Sequence, residues 1–109
     1  MSFEVLVSSN FKKEAKRLSK KYPSLKNEIR ILAKNLKENP EMGTSLGGDI
    51  FKIRMAIQSK GRGKSAGARV ITFVLFPDFK IFLLSIYDKS EQSSISLEKI
   101  KSLISEELG

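Results

Sequence analysis

The chain has 109 residues, with 20 Lys+Arg against 12 Asp+Glu for a net charge of +8, and it contains neither Cys nor His. That length admits one domain, 1–109, and 40% apolar residues suffice for its core without staples. Missing Cys and His exclude disulfides, thiolate nucleophiles, iron–sulfur clusters and the commonest zinc sites, so no metal or cofactor is expected and acid–base chemistry falls to Lys, Arg, Tyr or shifted carboxylates.

Phe3-Glu4-Val5-Leu6-Val7 reads as a short, buried strand. Phe11, Ala15, Leu18 and Tyr22 then recur at helical spacing, with Ser9 or Asn10 as the cap. Lysines and Arg17 fill much of the rest of that helix. Tyr22-Pro23-Ser24 breaks it, because proline disfavours helical geometry in the residue before it. Ser24 caps a second helix with the stripe Leu25, Ile29, Leu32 and Leu36, stopped by Asn39-Pro40. The short break predicts a helical hairpin.

The period then changes. Met42 to Gly48 reads as a loop, and from Asp49 to Ile57 the apolar Phe51, Ile53, Met55 and Ile57 alternate with Lys52, Arg54 and Ala56. Arg69 to Phe76 is a second strand of this half, Pro77-Asp78 a tight turn, and Lys80 to Tyr87 a third strand. Phe73, Phe76, Phe79 and Phe82 read as core or turn packing. Ser96 caps a last helix carrying Ile100, Leu103 and Ile104. The order β-α-α-β-β-β-α predicts an α+β domain: an antiparallel sheet with an N-terminal helical hairpin and a C-terminal helix, the helices covering one face.

The charge is unevenly placed. Residues 50–77 hold six basic side chains (Lys52, Arg54, Lys60, Arg62, Lys64 and Arg69) and no acid. No apolar run approaches the ~18 residues of a membrane span. The N-terminus lacks the basic head of a signal peptide, and a cytoplasmic domain without membrane contact is the expectation. Three Gly and three cations lie between Lys60 and Gly67, a loop with backbone N–H groups open to an anion. It is not a Walker loop, since the glycine spacing differs and it feeds a strand rather than a helix. A solvated basic hairpin tip is the plain alternative. Against it, Lys52 and Arg54 share a strand face and Arg69 opens the strand that the loop feeds, so the cations converge. Such a cluster is an electrostatic cost unless an anion, such as a nucleic-acid backbone, binds it.

Three segments carry a resemblance: Phe51-Lys52-Ile53-Arg54-Met55, Lys60-Gly61-Arg62-Gly63-Lys64-Ser65-Ala66-Gly67-Ala68-Arg69-Val70-Ile71, and Phe82 to Glu91 with Ile86-Tyr87-Asp88-Lys89. Together with the Lys-rich helical hairpin they resemble the RelE/HigB branch of the RelE/ParE toxin superfamily over nearly the whole chain. The resemblance implies a toxin of a type II toxin–antitoxin module, an endoribonuclease that cleaves mRNA on the ribosome. Its implied partners are mRNA, the ribosome and an antitoxin with a helix-turn-helix or an acidic tail. By position Lys52 and Arg54 match the family's paired basic residues, Arg69 its strand-start arginine, and Lys89 the basic residue after the last strand. The family's C-terminal tyrosine has no counterpart: Ile95 stands about where it would fall, and Tyr87 could serve from the strand end.

These residues suit metal-independent cleavage by 2′-OH attack on the adjacent phosphate. Arg54 and Arg69 would neutralise the phosphorane, because guanidinium binds phosphate oxygens bidentately and stays protonated. Lys52, Lys64 and Lys89 would hold RNA or transfer protons, and Tyr87 would position the nucleotide by stacking or carry a proton. Lys60, Arg62, Lys64 and Lys89 would bind RNA. Tyr87 as a core-edge residue and Lys89 as a surface partner of Asp88 or Glu91 are the plain alternatives. Two functional rivals remain, a ParE-like gyrase inhibitor and a non-catalytic basic nucleic-acid-binding module.

Overall fold

A computed structural model describes residues 3–61 and 66–109. Among them five strands form one sheet in the order β1-β5-β4-β3-β2. The strands are β1 (Glu4–Val7), β2 (Thr44–Gly47), β3 (Ile50–Met55), β4 (Ala68–Leu75) and β5 (Lys80–Asp88). Helices α1 (Ser9–Lys21) and α2 (Leu25–Glu38) lead from one sheet edge to the other, and α3 (Leu97–Leu108) closes the chain. The α+β class and the antiparallel run from β2 to β5 agree with expectation, whereas β1 joins β5 in parallel, making the sheet mixed.

Three expectations need correction. The segment read as a loop contains β2, whose four residues, Thr-Ser-Leu-Gly, are too short and too mixed to show a period. The helices do not share a face. Phe11, Leu18, Leu25 and Leu36 of α1 and α2 pack on Phe51, Ile53 and Val70, while Ile100 and Leu103 of α3 pack on Ile50, Ile71 and Leu84 across the sheet. Finally, α1 is capped by Ser8 rather than Ser9 or Asn10, its hydroxyl accepting from Phe11 N at 3.0 Å. Ser24 occupies the cap position of α2 but makes no side-chain cap bond; its hydroxyl instead meets Glu28 and Ser59. Ser96 caps α3 as expected.

One irregularity sets the geometry of the site. Ile71 pairs with Ser85 but Thr72 pairs with Leu83, so β5 carries an extra residue there. A bulge of this kind shifts the period-two alternation by one. Phe82 and Leu84 face α3 before it, and Tyr87 faces α3 after it. Side chains from α1 and the residue before it bond to the bulged stretch of β5. The Leu84 carbonyl accepts from Ser8 Oγ at 3.1 Å and Asn10 Nδ2 at 3.0 Å. Glu14 Oε1 accepts from Ser85 Oγ at 2.8 Å and from the Ile86 N–H at 3.2 Å. A Glu14→Ala variant strips the acceptor from both and should lose about 1–3 kcal/mol of stability, read as a lower urea midpoint with an unchanged slope.

Candidate functional site

Arg54, Arg69 and Tyr87 stand directly opposite one another on three adjacent strands. Lys52, two residues before Arg54, shares their face of the sheet by the alternation of β3. The Arg54–Arg69 apposition is unfavourable in itself, since like charges facing across a strand pair destabilise it. Arg54 is exposed and Lys52 half-buried, and neither forms an ion pair with a described residue. Arg69 is 5% exposed, and its guanidinium donates to the Ala68 carbonyl at 3.3 Å. One wall of the site is therefore held rigidly by the sheet, while Arg54 reaches into solvent.

Tyr87 is 3% exposed and packs among the residues under α3. Burial pushes its phenol upward from the ordinary tyrosine range, and the neighbouring positive charge of Arg69 offsets only part of that. The hydroxyl is therefore protonated at neutral pH and suited to donate a hydrogen bond. A ring so enclosed offers little face for base stacking. Beside it lies a cavity of about 180 Å³ lined by Lys52, Ile71 and Tyr87 of the sheet, by Leu46 of β2, and by Ser94, Ile95, Leu97 and Ile100 at the α3 end. Ile95, at the expected tyrosine position, thus lines the same cavity as Tyr87 and Lys52.

The remaining expected RNA contacts are distributed differently. Lys60 lies away from this row: its ammonium donates to Asp88 Oδ1 at 2.6 Å, Ala66 O at 2.8 Å and Ser90 Oγ at 2.9 Å. It also sits 5.7 Å from the centre of the Tyr22 ring. Lys89 is half-buried one step beyond β5, and its N–H bonds the Gly67 carbonyl at 3.0 Å. Arg62 and Lys64 lie outside the described residues. Gly67 has a steric reason to be glycine, because a Cβ there would overlap the carbonyl oxygen of Met55 on the adjoining strand.

Sequence reasoning missed the role of Asp88. Fully buried, it accepts from Tyr22 Oη at 2.6 Å, from Lys60, and from Ser90 through both backbone N–H and hydroxyl. Burial alone would raise its pKa, but the hydrogen bonds from Lys60, Tyr22 and Ser90 prevail and hold the carboxyl well below the usual carboxylate range. This network ties the end of β5, next to Tyr87, to the end of α1 and to the segment after β3. The signal available in sequence was a lone acid closing an otherwise apolar strand. Nothing in sequence marked Lys60, 28 residues earlier, as its partner.

The fold, a mixed sheet with helices, has a counterpart among solved structures. The free-state structure of a double arginine-to-alanine mutant of E. coli toxin RelE matches with a TM-score of 0.62. The match covers 85% of this chain and 90% of that one at 17% identity, and so establishes a shared fold. At the level of sequence, the family model described as the RelE toxin of the RelE / RelB toxin-antitoxin system matches residues 4–106. The chain belongs to the RelE toxin family and is the toxin of a toxin–antitoxin pair, which implies an antitoxin partner. No described helix is long and apolar enough to cross a membrane.

Proposed function

We propose that this toxin is an mRNA endonuclease that acts on the translating ribosome in the cytoplasm, cutting by 2′-OH attack on the adjacent phosphate. The observation that carries this reading is the Arg54–Arg69–Tyr87 row with Lys52 on the same face. The two arginines are directly opposed on neighbouring strands whose backbones lie about 5 Å apart, close enough for both side chains to be directed to one phosphorane. Arg54 and Arg69 bind its equatorial oxygens and stabilise the charge that develops there. As the 2′-O–P bond forms, the 2′-OH proton passes to solvent water; Tyr87, protonated at neutral pH, donates to the 5′ oxygen that leaves as the P–O5′ bond breaks, and Lys52 holds the phosphate from the cavity side. Lys89 extends the cationic track beyond β5. Lys60 belongs with the supporting network, because its hydrogen bonds are already committed.

Primer extension on an mRNA incubated with purified toxin, with and without translating ribosomes, tests the proposal. Discrete new 5′ ends that appear only with ribosomes are the expected result. Intact mRNA in both arms, together with loss of supercoiling by DNA gyrase in a parallel assay, would replace the nuclease reading with gyrase inhibition. Intact mRNA with tight, salt-sensitive RNA binding would replace it with a non-catalytic binding module.

A further inference from the structure

On the α2 side of Arg54 lies a second recess. β2 pairs with β3 only as far as Lys52, so the edge of β3 from Ile53 to Met55 has no strand beside it among the described residues. Between that edge and α2 is a slot of about 260 Å³. Leu32, Met42, Ile53 and Met55 line its apolar part, and Ile31, 46% exposed, belongs to the same wall. Three side chains with polar ends join them, Glu28 and Asn35 from α2 and Gln58 after β3. Glu28 is half-buried and forms no ion pair among the described residues. Its Oε2 accepts from the Gln58 N–H at 2.7 Å and its Oε1 from Ser24 Oγ at 3.2 Å. The side-chain carboxamides of Asn35 and Gln58 are exposed and bond to no described residue. Arg54 belongs both to this lining and to the row opposite Arg69.

We infer that this slot receives the base of a nucleotide flanking the scissile phosphate, and that it prefers adenine or cytosine, which carry an exocyclic amine, to uracil. The inference rests on the nuclease reading and adds the substrate's base to it. Continuity carries the location: a phosphate held by Arg54 leaves the neighbouring base beside the open edge of β3. The volume suits one base rather than a larger ligand, since drug-sized molecules occupy about 300–1,000 Å³. The thioethers of Met42 and Met55 give walls that adapt to a flat aromatic ring. Selectivity follows from the polar ends. A carboxylate only accepts hydrogen bonds, so Glu28 takes the amine of adenine or cytosine and opposes the carbonyl oxygen that uracil presents in its place. A carboxamide donates as well as accepts, and completes the pairing at the adjoining ring nitrogen. The same uncompensated carboxylate repels phosphate, which stays on the arginines.

Fluorescein-labelled RNA hexamers of cytidine or of uridine, 2′-O-methylated so that neither is cut, compare the two bases at equal length and charge. Anisotropy is read with the full-length toxin. The cytidine hexamer should bind about tenfold more tightly. Glu28→Gln removes a negative charge, which by itself strengthens both hexamers alike; base selection by Glu28 requires instead that the ratio fall to about threefold or less. Asn35→Leu, at an exposed position, should weaken the cytidine hexamer by about threefold or more. It should leave the uridine hexamer, held by its phosphates, as it was. Circular dichroism verifies that each variant folds. Equal affinity of the parent for the two hexamers, or the parental ratio retained in both variants, would overturn the inference and leave the slot to an apolar side chain of a protein partner. Primer extension keeps the two readings apart. Equal affinities with ribosome-dependent cuts overturn the slot and leave the nuclease standing. Discrimination of cytidine from uridine by a toxin that cuts nothing supports the slot as an RNA-binding site and removes the nuclease reading.

Discussion

An Arg54→Ala variant is expected to fold as the parent does and to lose mRNA cleavage by about 10²- to 10³-fold, the usual size for removing one donor to a transition-state oxyanion. Arg54 is exposed, so its truncation removes no packing and should change stability by no more than about 0.5 kcal/mol. That makes it the cleaner probe of the pair. Arg69→Ala should abolish cleavage more completely, but Arg69 is buried between Arg54 and Tyr87, so part of its effect would be structural. Arg69→Lys separates the two contributions. It keeps the charge and most of the volume while losing the bidentate fork, and it should remain folded with cleavage well below that of the parent. Primer extension under single-turnover conditions reads all three. Cleavage within threefold of the parent in both Arg54→Ala and Arg69→Lys would sink the assignment of phosphate binding to this row.

The largest effect on stability is expected from Asp88→Asn, about 3–5 kcal/mol, because it leaves the Lys60 ammonium buried beside a neutral amide. In the native structure that pair is 2.6 Å apart, with side chains 12% and 0% exposed. Removing both partners should cost less than removing one. Asp88→Asn with Lys60→Met should recover part of the loss, and a double-mutant cycle measures the coupling. The same network sets the response to acid. A carboxyl whose native pKa is lowered contributes stability in full above the ordinary aspartate value of about 3.9, and that contribution is lost as pH falls from there through the native value. Urea midpoints of the parent should therefore fall steeply below about pH 4, and those of Asp88→Asn should fall less. Parallel curves would contradict a stabilising role for this carboxylate.

The elements were legible where a period was long enough to read. The stripes Phe11, Leu18 and Leu25, Leu32, Leu36 locate α1 and α2, and the alternation of Phe51, Ile53 and Met55 with Lys52 and Arg54 assigns both β3 and the side on which its cations stand. The four residues of β2 carry no such signal, and it is a strand because β3 offers it an edge. Nor does an amphipathic stripe say which sheet face it will cover. Ile100 and Leu103 specify that α3 has a buried side, and only packing assigns that side to Ile71 and Leu84.

Composition and local pattern thus determined an α+β fold with a cationic middle, without imidazole or thiol chemistry, and they put Lys52, Arg54 and Arg69 on converging strands. Tertiary structure decided the rest, because it depends on contacts between residues far apart in the chain. The bulge in β5, held by Ser8, Asn10 and Glu14 of the N-terminal segment, turns Tyr87 toward the arginines and Asp88 toward Tyr22. Asp88 in turn draws Lys60 out of the cationic set and into the support of the sheet. The +8 of the chain is therefore divided by the fold: the strands carry one cationic surface, the outer flank of α1 and the start of α2 carry another, and a buried carboxylate silences one of the lysines that the sequence had placed between strands.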